Sequence, residues 1–108
     1  MKRTFHLVPK SGGECCDFCT AEPIEKLYRC ANFQWRQHSI FPRGSVGEWA
    51  ACGECAEFID NEKWSNLTER SLRYFLREHT VPRYDIPVLR EQFREIHELF
   101  RQHRHREP

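Results

Sequence analysis

Cys16-Asp17-Phe18-Cys19 and Cys52-Gly53-Glu54-Cys55 are the stretches that decide how this chain folds. A C-x2-C turn puts two sulfurs on one side of a tight knuckle, so each pair supplies half of a tetrahedron. Zinc prefers four such ligands and binds thiolates at ~2.3 Å. The 32 residues between Cys19 and Cys52 exceed the common separation of ~15–20 between such pairs and suit two strands with a long loop. The expected metal ligands are Cys16, Cys19, Cys52 and Cys55, holding one zinc ion. Four thiolates leave no open position for water, so the expected role of the ion is structural.

Outward from the first pair, Ile24–Trp35 is rich in β-formers and Val46–Ala51 forms a second such run. A loop containing Pro42 and Gly44 separates them, which predicts a long-looped hairpin. Alternation in the first run is imperfect, and a bulge near Ala31-Asn32 would reconcile its two parities. The second pair precedes Ala56-Glu57-Phe58-Ile59, so Cys52–Glu62 reads as a helix with ligands in its first turn. A helix N-terminus stabilises thiolates placed there.

Two amphipathic helices follow, near 66–79 and 86–103. Asn66 with Glu69 three residues on has the form of a capping box. Asp85 is placed to cap the last helix, with Pro87 in its first turn. Leu89, Phe93, Ile96 and Phe100 fall at steps of 4, 3 and 4, one apolar stripe. This interaction helix is expected to bury them on the 66–79 helix or against a second copy.

Six cysteines in 108 residues would also suit a disulfide framework. Against that, Lys2-Arg3 and the short, polar Thr4–Pro9 do not make an export signal. A cytoplasmic address is expected, and reducing surroundings favour metal thiolates over disulfides. Cys15 is an alternative ligand to Cys16, although Cys16 gives the spacing that mirrors the second pair. Cys30, inside the first strand, reads as a small buried hydrophobe. The six histidines make no evident site, and His103 and His105 lie in an Arg-rich tail.

The 17 basic and 16 acidic residues leave a net charge of +1, so there is no global attraction to nucleic acid or anionic lipid. No apolar run approaches the ~18–20 residues of a membrane span. Both cysteine pairs lie in acidic blocks, and the block between them, 26–43, is basic. Three segments are expected: a flexible 1–13, a zinc-binding module 14–62 and a helical region 63–108. At 49 residues the middle segment is near the size at which a core alone is marginal, so the metal would supply much of its stability.

The order of knuckle, hairpin and helix resembles the treble-clef zinc folds. More closely, CDFC-x-AEP, WAACGEC and LTERSL resemble small bacterial zinc-ribbon proteins of unknown function, over roughly residues 14–72. That resemblance implies the same four ligands and no particular activity. The long Arg-rich C-terminal helix departs from the group. The fold class expected is thus α+β, a small treble-clef or zinc-ribbon-like module followed by two amphipathic helices.

For function, near-zero net charge, a rigid zinc knob and a final amphipathic helix favour a non-enzymatic protein-interaction adaptor or regulatory module. Its partner is a protein or a second copy, with neither a membrane nor a small-molecule substrate. The alternative is binding of RNA or single-stranded DNA through Arg29, Trp35, Arg36, His38 and Arg43, which interleave cations with aromatics in the hairpin. A remote alternative is an HNH-like nuclease. It would use His38, but Ala56–Glu62 holds no histidine to complete the site, and catalytic residues are expected to be none.

Overall fold

A computed structural model of the chain describes residues 15–35, 43–45 and 48–105. Its strands are β1 (Ile24–Tyr28), β2 (Phe33–Trp35), β3 (Arg43–Ser45) and β4 (Trp49–Cys52). Its helices are α1 (Gly53–Asp60), α2 (Trp64–Glu78) and α3 (Ile86–His103), with a 3-10 turn at Arg83–Asp85 before α3. The architecture is α+β, as expected: a cysteine knuckle, a hairpin, a short helix, and two longer amphipathic helices. The segment 1–13, Arg36, His38 and Pro42 lie outside the described residues.

The hairpin has two antiparallel ladders. β1 pairs with β4, Tyr28 opposite Trp49 and Ile24 opposite Cys52, and β2 pairs with β3, Trp35 opposite Arg43. The expected single strand over 24–35 is therefore broken at residues 29–32. The break has a hydrogen-bonding cause. The Ala31 N–H donates to the His103 carbonyl at 3.0 Å, and the His105 N–H donates to the Arg29 carbonyl at 2.8 Å. The segment after α3 thus bridges to Cys30. Residue 30 takes its pairing from a distant part of the chain, which is why alternation fails there. The ladder irregularity expected at Ala31-Asn32 falls instead between Ile24 and Lys26.

Helix boundaries differ from expectation where turns carry the chain directly from one element to the next. α1 ends in a Schellman turn: the Lys63 N–H donates to the Phe58 carbonyl and the Glu62 N–H to the Ile59 carbonyl. Glu62 takes φ 59°, a conformation that favours glycine. This turn leads straight into α2, whose N-cap is Lys63, so Asn66 lies inside the first turn and does not cap. Asp85 occupies the N-cap position of α3 but makes no side-chain capping bond, because the 3-10 turn feeds the helix directly.

The core joins the cysteine module to the helices. Phe18, between the two knuckle cysteines, lies 5.0 Å from Trp49 and 5.1 Å from Phe100 between ring centroids. Phe100 also meets Tyr28 edge-on at 5.8 Å. Thr68 meets His97 and Phe75 meets Phe93, so α2 and α3 run antiparallel against each other. Phe93, Ile96 and Phe100 are buried and Leu89 is partly buried against the same cluster. The apolar stripe of α3 is thus used within the chain. Each large side chain so covered contributes ~1.5–3 kcal/mol.

Candidate metal centre

Residues 15–20 form the first half of the site. The Cys16 N–H donates to the Ala21 carbonyl at 2.9 Å and the Thr20 N–H to the Cys16 carbonyl at 2.9 Å, closing the knuckle. Backbone amides then point at sulfur: Phe18 and Cys19 N–H donate to Cys16 Sγ at 3.3 and 3.4 Å, and Ala21 N–H donates to Cys19 Sγ at 3.4 Å. Such donors favour the thiolate form. Asp17 fixes the knuckle against β4. Its own N–H donates to the Ala50 carbonyl at 2.8 Å, and its carboxylate accepts the Ala50 N–H at 2.8 Å.

The second half comes from the junction of β4 and α1. Cys52 is the N-cap of α1 and Cys55 lies in its first turn. Pairing of β1 with β4 sets Ile24, just after the knuckle, opposite Cys52. The four sulfurs of Cys16, Cys19, Cys52 and Cys55 converge within 4.8 Å of one another, all buried. Cys19 and Cys52 are 3.6 Å apart, close to the ~3.8 Å edge of a tetrahedron with metal–sulfur bonds of ~2.3 Å. Four soft donors at this spacing fit a tetrahedral thiolate-bound metal ion. A disulfide would need ~2.05 Å, and none forms among the described residues.

Cys15 is half-buried and lies outside the four-sulfur group, as does buried Cys30. Without a metal the four closely packed sulfurs bias one another's protonation. Hydrogen bonding with Cys16 leads the shifts that bring Cys19 down to about 7 and hold Cys52 far below the ordinary thiol range. The same contacts push Cys16 and Cys55 upward. A metal ion removes this competition by taking all four as thiolates.

Sequence reasoning missed Arg70, although it stands in the LTERSL segment. It lies mid-way along α2 with only 7% of its surface exposed. Its Nη2 donates to Cys52 Sγ at 3.7 Å, and its Nη1 pairs with Glu54 Oε1 at 2.6 Å. The guanidinium also stacks over Tyr74 at 4.7 Å. A cation in that position is a signal only the three-dimensional fold supplies. His97 was missed too. Its Nδ1 meets Thr68 Oγ1 at 3.0 Å and its Nε2 meets Ser71 Oγ at 3.3 Å, in the buried seam between α2 and α3. Its place one turn after Phe93 on the apolar stripe was the available sign.

Of the residues considered for nucleic acid, Arg29 is exposed at the end of β1. Trp35 and Arg43 are partners in the backbone register of β2 and β3, while Arg36 and His38 lie outside the described residues. No described helix is long and apolar enough to cross a membrane. Neither a protein-family model, nor a curated protein, nor a solved structure matches this chain.

Proposed function

We propose that the chain is a zinc protein without enzymatic activity, its ion structural, serving as a protein-interaction adaptor or regulatory module. The observation that carries this reading is the closure of four buried cysteine sulfurs around one point. Four thiolates complete a tetrahedral shell and leave the ion no position for substrate or water. The ion would tie the knuckle to the start of α1 and so hold the floor on which α2 and α3 pack. Kinship with small bacterial zinc-ribbon proteins is part of the same proposal and rests on the motifs CDFC-x-AEP, WAACGEC and LTERSL.

The adaptor part is supported by the surface. Four exposed ion pairs among the described residues tie cations to carboxylates, which disfavours a continuous basic face for phosphates. Because the stripe of α3 is covered internally, docking would use other surface. Tyr84 and Val88, at the turn into α3, are exposed apolar side chains.

Metal analysis of the purified protein should give one zinc per chain. Serine at Cys16, Cys19, Cys52 or Cys55 should lower both metal content and melting temperature, while Cys15→Ser and Cys30→Ser should keep the metal. Full zinc in two of the four ligand variants would reject the site. A gel shift with RNA or single-stranded DNA that weakens steeply with salt would replace the adaptor reading by the nucleic-acid one.

A further inference from the structure

Arg70 is placed where a structural arginine has no ordinary reason to be. Burying a guanidinium is costly unless its charge is matched and its donors are satisfied. Its carboxylate partner among the described residues, Glu54, has a side chain that is 66% exposed and so is largely screened by water. Its Nε is buried without a hydrogen-bond partner among the described residues. Its remaining polar contacts are with sulfurs of the metal site, a hydrogen bond to Cys52 Sγ and an electrostatic contact with Cys19. Four thiolates around a divalent ion carry a net charge of −2, and in a water-poor interior that charge is the strongest available partner for a cation.

The geometry adds direction. Cys52 and Glu54 flank Gly53 at the start of α1, and the two outer nitrogens of the guanidinium grip one each. Tyr74, one turn further along α2, backs the guanidinium plane. A planar fork suits this double grip, and a lysine ammonium could take only one side of it. The fork therefore fastens the middle of α2 to one ligand of the centre.

We propose that Arg70 is the positioning residue through which the helical region governs the metal centre. It offsets the charge of the loaded site and holds Cys52 in place, so retention of the ion depends on α2 being docked. This rests on the metal reading above. Groups that support a ligand from outside the coordination shell alter metal affinity by ~10–100-fold when removed.

The test uses the full-length chain with Arg70→Met, which keeps an apolar stem over Tyr74, and Arg70→Lys, which keeps the charge. Zinc affinity and the rate of zinc transfer to a chromogenic chelator would be measured, together with the thiolate-to-cobalt charge-transfer band of the cobalt-substituted proteins. Arg70→Met should bind zinc ~10–100-fold more weakly, release it correspondingly faster and shift the cobalt band. Arg70→Lys should recover part of the affinity yet still release zinc several-fold faster than wild type. Arg94→Gln, which removes an exposed pair with Glu91 within α3, should leave all three readings unchanged. Wild-type affinity, release and spectrum in both Arg70 variants would overturn the proposal. If Arg70→Met does not fold, Arg70→Lys alone decides, and release at the wild-type rate overturns it. A wild-type chain that binds no zinc or cobalt would instead overturn the metal reading itself, so the two failures are distinct.

Discussion

Taking the protein from pH 7 to pH 5 should cost it about 2 kcal/mol through His97 alone. Burial pushes this imidazole down to about 3 from its ordinary value of 6.5. Its neighbours offer no charge to hold a proton: Thr68 and Ser71 hydroxyls meet the ring nitrogens, and Phe18 and Phe93 lie against the ring. A depressed folded value means that the unfolded chain binds the proton first. The stabilising contribution of the neutral ring is complete above pH 6.5 and declines as the pH falls toward 3. At 1.36 kcal/mol per unit, the unfolded state gains ~2 kcal/mol between pH 7 and 5, while the folded state gains almost nothing. His97→Gln keeps hydrogen-bonding capacity and cannot titrate. The assay is urea denaturation followed by tryptophan fluorescence, for both proteins at both pH values and with zinc in excess. Thiolate protonation weakens the metal site equally in the two, so it cancels in the double difference. An equal loss of stability in wild type and His97→Gln would refute the assignment of a buried neutral histidine.

Two further substitutions probe the frame around the site. Glu62→Gly should raise stability by about 0.5–1 kcal/mol, since glycine suits the left-handed C-terminal position of α1; a lower melting temperature would show that the Trp64 Nε1–Glu62 hydrogen bond outweighs the backbone strain. Phe100→Ala should cost about 3–5 kcal/mol, read by chemical denaturation of the zinc-loaded protein, because the ring is fully buried among Phe18, Tyr28 and Trp49; a loss under 1 kcal/mol would contradict the shared core.

The parts of this molecule legible in the sequence were those written in local spacing. Two C-x2-C pairs announced the half-sites, and the 4-3-4 steps of Leu89, Phe93, Ile96 and Phe100 announced an amphipathic helix. What spacing cannot express is which distant segment supplies a hydrogen bond or a counter-charge. The strand break at Cys30 is caused by Arg104, more than seventy residues away, and no local pattern encodes that pairing. Arg70 is one of several cations on an amphipathic helix, and only the fold brings it to Cys52. Asn66 misled for a related reason. Its capping signature was sound in isolation, but a Schellman turn with an unusual glutamate had already started the helix at Trp64.

Phe100, wedged against Phe18 and Trp49, has a consequence for how the chain is made. The four cysteines leave the ribosome before α3 does, so a metal ion can close the knuckle onto α1 while the ring that fills their shared core does not yet exist. At translation speeds of ~5–20 residues per second, residues 56–100 take about 2–9 s to appear. α3 itself needs only about a microsecond to coil once it is free. During those seconds Phe18 and Trp49 present an unfilled aromatic face. A nascent chain stalled in this interval, with its metal already bound, would be the form of the protein most prone to aggregate and the one a chaperone would meet.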